Sequence, residues 1–374
     1  MPALQAALPA SYYVEDAHWR HERERVLFSE WFCVGRLDTL GLDADDSSRT
    51  GRLSVVDVAG ESVLLSRDRD AVLHAHYNVC RHRGSQVVPV DPDGPPPAPC
   101  EVGALRCGYH SWTYDLDGHL LRAPHTEDVE DFDAGSFALH PVGVQEWAGF
   151  LFLHLTPADA QPLTDTLGDV PARLARYPLE RLRVGHRLSY DVRANYKVVL
   201  ENYNECYHCA GVHPELCRLV PEFGRGGANL DWEAGIPHRE GAWTFTTSGT
   251  SERAAFAGLD GDEKVRHKGE LLYPNLMLSL SADHVAAFTL WPTAADRTRV
   301  DCDLLFTPEA IADDGFDPSD AAGFWGLVNR QDWAVCESVQ RGMSSRAYAG
   351  GWFAPMEDAS LDIRRWLLPR LGEP

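Results

Sequence analysis

The chain has 374 residues, 44% hydrophobic and 24% charged, with a formal net charge of −22 from 34 Lys and Arg against 56 Asp and Glu. The length calls for two domains, the composition for a globular protein, and the charge excludes nucleic-acid phosphates and anionic membranes as natural partners. No apolar run approaches the roughly 18 residues of a membrane span, and Met1–Ala10 lacks the basic start of a secretory signal. Nine cysteines form no evenly spaced framework, so a reducing cytoplasm without disulfides is expected.

Residues 1–45 read as helical, with Asp16 ahead of an apolar set of Trp19, Val26, Leu27 and Phe32. From Gly51 the texture changes to short strands. Leu53–Val58, a turn at Ala59-Gly60-Glu61, Ser62–Leu65 and Val72–Tyr77 form a β-meander pattern. It leads into Cys80-Arg81-His82-Arg83-Gly84. The run Asp91-Pro92-Asp93-Gly94-Pro95-Pro96-Pro97 suits neither strand nor helix and reads as a surface insertion. Cys107-Gly108-Tyr109-His110-Ser111-Trp112 follows, then a hairpin over Tyr114–Leu120 with Asp117-Gly118 as its turn. Gly149–Leu155 reads as a buried strand closing this small β domain.

The two Cys–His pairs each offer a soft thiolate and an imidazole on a short loop with glycine at hand. A structural zinc site accepts two Cys and two His, but usually draws like ligands from each knuckle. Mixed pairs suit a Rieske [2Fe–2S] cluster, in which two Cys hold one iron and two His the other. If each loop sends its Cys to one iron and its His to the other, C-x-H and C-x2-H follow.

Beyond Pro157 helices and strands mix. Asp165–Arg176 reads as helix, Val184–Arg193 as strand, and a helix runs from Tyr196 towards Gly211. Leu276–Leu280, Ala286–Trp291 and Val300–Phe306 are strand candidates, and Phe324–Arg341 is a strong helix. The polar stretch Gly249–Gly269 reads as a lid or a disordered loop.

His208 and His213 are five residues apart, so a regular helix would point them about 140° away from each other. They converge only if the helix breaks, and Gly211 and Pro214 favour a break. Two converging histidines want a third ligand, and a 2-His-1-carboxylate set with open positions marks a non-haem Fe(II) oxygenase. Two unrelated helix-end histidines are the alternative. Asp332 is the candidate carboxylate, because it interrupts an apolar stripe of Val328, Val335, Cys336 and Val339. A buried carboxylate there needs a cation, either a metal or an arginine such as Arg330 or Arg341. Glu205, three residues before His208, is placed either to orient that histidine or to face an electron donor. Cys206 and Cys209 read as small packing residues.

With these residues in view, the chain resembles the oxygenase α subunits of Rieske non-haem iron ring-hydroxylating oxygenases over nearly its whole length. The resemblance rests on Asn78-Val79-Cys80-Arg81-His82-Arg83-Gly84 and Cys107–Trp112, then on Asn195-Tyr196-Lys197, Glu201-Asn202-Tyr203, His208…His213-Pro214 and Gln331-Asp332. It implies a [2Fe–2S] cluster held by Cys80, His82, Cys107 and His110. It implies one mononuclear Fe(II) held by His208, His213 and Asp332, with Glu205 as the bridge between centres. O2 is the implied co-substrate. NAD(P)H would act only through a separate flavin and iron–sulfur reductase, since no dinucleotide fingerprint follows a strand here. The implied fold is α+β, a Rieske β domain inserted near the N-terminus of a helix-grip (START/Bet v 1-like) catalytic domain. Residues 1–45 would be the N-terminal helical part of the catalytic domain, 46–156 the Rieske domain and 157–374 the mononuclear-iron domain. The family also implies a homotrimer in which one subunit's cluster serves the next subunit's iron.

Two departures stand out. Gly108 occupies a position where the family often has Pro, and the link from Arg83 to Arg106 is long. Many aromatic dioxygenases have Asp where Glu205 stands. Glu205, with His213-Pro214-Glu215-Leu216, resembles instead the branch acting on glycine betaine, carnitine, choline and proline betaine. The expected activity is therefore a monooxygenase that N-demethylates a small quaternary ammonium compound. The alternatives are an aromatic ring-hydroxylating dioxygenase, a Rieske electron-transfer protein without substrate chemistry, and a zinc-stabilised binding protein. A quaternary ammonium group has no N–H to donate and is held by aromatic faces. Tyr203, Trp232, Trp243, Phe245 and Trp291 are the candidate pocket rings.

Overall fold

Strand-forming segments, two pairs of them joined by two-residue turns, build the smaller of two units, Leu27–Thr166. The computed structural model describes residues 3–43, 51–91, 94, 96–227 and 230–373, apart from the side chain of residue 361. The smaller unit's main sheet contains β1 (Phe32–Arg36), β2 (Gly51–Val58), β3 (Glu61–Arg67), β4 (Leu73–Tyr77) and β5 (Cys100–Val102). A second, three-stranded sheet holds β6 (Leu105–Arg106), β7 (Thr113–Tyr114) and β8 (Leu120–Arg122). The last strands, β9 (Pro141–Trp147) and β10 (Phe150–His154), return to the main sheet, whose order is β1-β10-β9-β4-β3-β2-β5. The meander over β2, β3 and β4 is antiparallel throughout, with Val58 opposite Glu61 and Val63 opposite Tyr77.

Two hairpins here use the same device. Ala59-Gly60 and Ala148-Gly149 all have positive φ, the twist that a two-residue hairpin turn requires. Gly149 has a second reason to be glycine: a Cβ would stand 2.5 Å from the buried Arg36 guanidinium, which donates to Ala148 O at 2.5 Å.

Residues 1–45 were expected to be one helical part of the catalytic domain. The structure divides them. All five residues of β1 are buried and β1 pairs with β10, so Leu27 onwards belongs to the smaller unit. A strand buried on both faces reads as a continuous apolar run, which periodicity does not separate from a helix segment. Ahead of it lie a strand Gln5–Pro9 and helices Ser11–Val14 and Asp16–Glu22. Of the Pro-rich insertion, residues 92, 93 and 95 lie outside the described residues; residues 96–99 have no regular structure.

The larger unit comprises residues 1–26 and 167–374, so the smaller one is inserted near its N-terminus. Its sheet contains β11 (Arg183–Val192), β12 (Ile236–Pro237), β13 (Arg266–Leu272), β14 (Leu276–Leu280), β15 (Val285–Ala294) and β16 (Arg297–Phe306). The strand order is β11-β16-β15-β14-β13-β12, every pairing antiparallel. Four helices matter for the site: α1 (Tyr196–Tyr203), α2 (Cys209–Val212), α3 (Pro214–Leu219) and α4 (Ser319–Met343). The long α4 packs on β11 and on α1.

The helix expected over Asp165–Arg176 is two short ones, Leu163–Leu167 and Val170–Arg173, separated at Gly168 with φ +51°. The stretch Gly249–Gly269 is not a loose lid. Phe256 and Leu259 are buried, and Arg253 is tied to Asp283 at 3.0 Å and to Asp320 at 2.8 Å.

Helix α1 is pinned by the residues that open it. The Asn195 side chain accepts from Lys197 N at 3.0 Å and donates to Ala295 O at 2.7 Å. The Lys197 ammonium makes a fully buried ion pair with Glu22 at 2.7 Å. Removing one partner of such a pair strands the other charge, at a cost of about 3–5 kcal/mol. The Asn-Tyr-Lys signature thus holds the scaffold that the catalytic side chains hang from.

Candidate active site

In the smaller unit, Cys80 and Cys107 are buried and the two thiols interact directly. Each sits at the start of a closed loop. Cys80 N donates to Ser85 O at 2.8 Å and Gly84 N to Cys80 O at 3.0 Å. Cys107 N donates to Trp112 O at 2.9 Å and Ser111 N to Cys107 O at 3.1 Å. Left-handed backbone at Gly84 (φ +77°) and Ser111 (φ +62°) turns the loops back. A Cβ on Gly108 would meet nothing within 4 Å, so that departure from the family pattern costs no contact.

The loops present His82 and His110 outwards, both exposed, with ring centroids 4.6 Å apart. Trp112 stacks on His82 at 5.0 Å and 5°. Burial pushes the Cys80 thiol up, while the Tyr114 hydroxyl, 3.3 Å from Sγ, acts in the opposite direction. All nine cysteines are free. Two buried thiols and two outward imidazoles from facing loops are the donor set that a Rieske cluster takes.

In the larger unit, one ligand atom each from His208, His213 and Asp332 lies within 4.8 Å of the others. Asp332 Oδ1 is 2.8 Å from His213 Nε2 and 3.4 Å from His208 Nε2. Adjacent ligands of a metal bound at about 2.1 Å sit about 3 Å apart, so the spacing suits one ion. Convergence depends on two breaks. Helix α1 stops at Tyr203, so Glu205 and His208 lie in a turn and not on a helical face. His213 then leaves the helix at φ −121°, ψ 65°, ahead of Pro214, which opens α3. Asp332 comes from α4. Its carboxylate meets the two imidazoles, and Arg341, one of the arginines considered for it, pairs with Glu337 instead. Val339 of the expected apolar stripe is exposed, because the stripe outruns the covered face.

The far ring nitrogens are also held. His208 Nδ1 is 2.5 Å from Glu205 Oε1, and His213 Nδ1 is 2.8 Å from Gln331 Oε1. Gln331 is itself held by Glu215 at 3.2 Å. Each imidazole therefore donates from Nδ1 and leaves Nε2 available to a metal. Glu205 also accepts from Tyr207 N, a local turn that aims its carboxylate. Burial opposes charge on His208, but hydrogen bonds to Asp332, Cys209 and Glu205 outweigh it and push its pKa up to about 12. Burial alone would raise Asp332; the His208 and His213 bonds hold it below the ordinary carboxylate value. Protons and a divalent cation compete for the same three atoms.

These atoms open into a cavity of about 950 Å³, its mouth included. Tyr203, Phe223, Trp232, Phe245, Phe288 and Trp325 wall it. Of the five rings expected there, Tyr203, Trp232 and Phe245 are present. Trp243 and Trp291 are not: Trp291 lies under the Arg299 guanidinium at 4.7 Å. Trp325 is a further wall that the sequence signals only by standing seven residues before Asp332, on the same helical face. Gln331, next to Asp332 in sequence, meets the need of a ligating His for an Nδ1 partner, which is the signal the sequence offers for it. Glu205 and His208 also border a second cavity of about 790 Å³, rimmed by the exposed Trp352.

Comparison with known proteins agrees with both halves. Residues 30–133 match the Rieske [2Fe-2S] domain family, and residues 179–373 match the ring hydroxylating alpha subunit (catalytic domain) family. The carnitine monooxygenase oxygenase subunit of Escherichia coli (strain K12) is 31% identical over 349 residues, 92% of this chain and 86% of that one. The glycine betaine monooxygenase oxygenase subunit of Pseudomonas aeruginosa (strain UCBPP-PA14) is 29% identical, over 98% of this chain and 90% of that one. The crystal structure of the quaternary ammonium Rieske monooxygenase CntA with its substrate gamma-butyrobetaine aligns with a TM-score of 0.74 at 24% identity, covering 98% of this chain and 96% of the other; that likeness bears on the fold. Among the described residues no helix is long and apolar enough to cross a membrane.

Proposed function

For a chain that belongs to the ring-hydroxylating oxygenase α subunits with a Rieske [2Fe–2S] domain, and is thus an oxygenase carrying a Rieske cluster and a mononuclear iron, we propose oxidation of a quaternary ammonium compound by N-demethylation. The observation that carries it is the position of His208, His213 and Asp332 on an aromatic-walled cavity that Glu205 and Glu270 also line. The relatives named for carnitine and glycine betaine point the same way.

Cys80, Cys107, His82 and His110 would hold the cluster, and His208, His213 and Asp332 the mononuclear iron. When bound, these groups supply single-electron transfer and activation of O2. The protein's own contribution is positional. Glu205 and Gln331 keep Nε2 of each histidine free for the metal. The rings hold the cation by its faces, at roughly 0.5–2 kcal/mol each, and keep water from the reacting methyl group. In balance, one oxygen atom of O2 enters an N-methyl C–H bond, and two electrons and two protons reduce the other to water. The resulting carbinol breaks its C–N bond, giving a tertiary amine, formaldehyde and a proton.

The electrons come from reduced nicotinamide through a separate reductase. Glu205 borders both cavities, which supports its role as the bridge to a cluster brought by a neighbouring subunit of a trimer. The test is formaldehyde release from trimethylammonium compounds with the reductase supplied, beside benzoate as an aromatic control. Formaldehyde in step with oxygen uptake supports the reading. Oxidation of benzoate alone overturns it.

A further inference from the structure

Resting on the quaternary ammonium reading, we propose that this cavity takes a net cation: a trimethylammonium group whose other end is a neutral hydroxyl, not a carboxylate, with His267 the residue that meets that end. The cavity's charges come first. Among the described residues that line it there is no Lys or Arg, while Glu205, Glu270 and Asp332 all do. With Asp332 given to the iron, Glu205 and Glu270 remain. Arg173 neutralises Glu270, so a substrate carboxylate distant from the iron would meet the Glu205 charge and no Lys or Arg of the lining to receive it, which selects against it.

The cations of the neighbourhood are engaged elsewhere. Arg173 holds Glu270 through two parallel bonds, Nε to Oε1 and Nη2 to Oε2, both 2.8 Å. Arg266 donates to Gly235 O at 2.8 Å. The Lys268 ammonium lies 3.6 Å from Glu263. A carboxylate could recruit Arg173 only by breaking its fork-to-fork pair with Glu270.

Two lining side chains, His267 and Trp333, carry a buried ring nitrogen without a protein partner, and His267 is the one set among the rings that would hold the cation. It lies on β13, lines the cavity, and is about 5% exposed. Three rings surround it: Phe245 at 4.5 Å, Phe223 and Trp232 at 6.2 Å. Its Nδ1 is buried with no protein partner, and a buried polar atom left unpaired is costly. Burial pushes its pKa down to about 3, so the ring stays neutral and offers a hydroxyl one hydrogen bond but a carboxylate no charge. The Tyr203 hydroxyl has spent its one donor on Leu278 O at 2.7 Å and can only accept.

The experiment uses the full, metal-loaded chain and three probes of similar size: choline, glycine betaine and n-propyltrimethylammonium. Anaerobic titration follows quenching of tryptophan emission, since Trp232, Trp325 and Trp333 line the cavity; turnover with reductase is the second readout. Choline is expected to bind and react roughly 100-fold better than glycine betaine. His267→Phe should shift the ratio of the Kd values for choline and n-propyltrimethylammonium about tenfold towards the latter, and His267→Gln should restore part of it. Glycine betaine equal to or better than choline overturns the proposal while leaving the quaternary ammonium reading standing. An unmoved Kd ratio in His267→Phe overturns the role of His267. If the loaded enzyme binds and consumes none of the three, the quaternary ammonium reading itself fails, and this inference with it.

Discussion

The two metal-binding regions solve opposite problems. In the smaller unit the thiols are buried and the imidazoles His82 and His110 are exposed. In the larger unit His213 is about 1% exposed, and the candidate ligands His208, His213 and Asp332 all line a cavity of aromatic rings. A site that hands on electrons needs an edge that a partner can approach. A site that activates oxygen needs walls that exclude water and hold a substrate. The two also differ in how they are built. One uses two loops closed by their own backbone bonds; the other joins a turn, a helix end and a helix more than a hundred residues downstream. The loop site should therefore answer to local changes, and the cavity site to distant ones.

The comparison breaks most sharply with paired substitutions. Cys107→Ala should abolish the Rieske absorbance and all turnover while the larger unit keeps its iron. Asp332→Ala should do the reverse, losing mononuclear iron with the cluster spectrum intact and activity equally absent. Metal analysis with visible spectra on the two variants checks both. If Asp332→Ala keeps full iron and turnover, the ligand assignment is wrong.

A middle-sized effect is expected at Glu205. Glu205→Gln keeps a hydrogen-bond acceptor on His208 Nδ1 but removes the carboxylate, so both metals should stay and coupled turnover should drop roughly 10–100-fold. Single-turnover kinetics of the pre-reduced variant decide: cluster oxidation at the wild-type rate after addition of substrate and O2 would show that Glu205 is no bridge. Gln331→Leu should act on the metal alone. It removes the partner of His213 Nδ1, and iron affinity should weaken roughly tenfold. Chelator competition, with the cluster spectrum as internal control, measures it.

The smallest expected effect concerns pH. His238 is buried and its pKa is pushed down to about 4, against 6.5 in an unfolded chain. The unfolded state takes the proton first, so this contribution to stability is present above about pH 6.5 and is lost as pH falls towards 4, at about 1.36 kcal/mol per unit. Glu201 has the opposite sign: burial raises it to about 7, so its contribution is present below the unfolded value near 4.5 and is lost as pH rises through 7. His238→Phe separates the two. Unfolding at pH 7 and pH 5 should show the variant retaining about 2 kcal/mol more at pH 5 than the wild-type pH dependence implies. An unchanged pH dependence would show that His238 is not the titrating group.

Some of this molecule is legible in one dimension. Metal chemistry demands particular residue types, so Cys80, His82, Cys107 and His110 stand out as candidates by type and spacing, and His208 and His213 by type and by the family motif they resemble. Asp332 stands out as a candidate by interrupting an apolar stripe. Short strand-forming runs and the turn residues between them announce the meander, because strand propensity and turn chemistry are local properties.

What only the tertiary structure decided is where side chains meet across distance. Trp243 and Trp291 are as aromatic as Phe245 and Trp325, yet only the latter pair reaches the cavity, because facing depends on sheet register and on what packs behind each ring. The break after Tyr203 lets Glu205 and His208 meet in a turn. Residues 27–43 join the smaller unit because Phe32–Arg36 finds a partner strand more than a hundred residues away. The nature of each ligand is a property of one residue and its near neighbours. The shape and charge of the cavity are properties of segments far apart in sequence, and no short-range pattern encodes them.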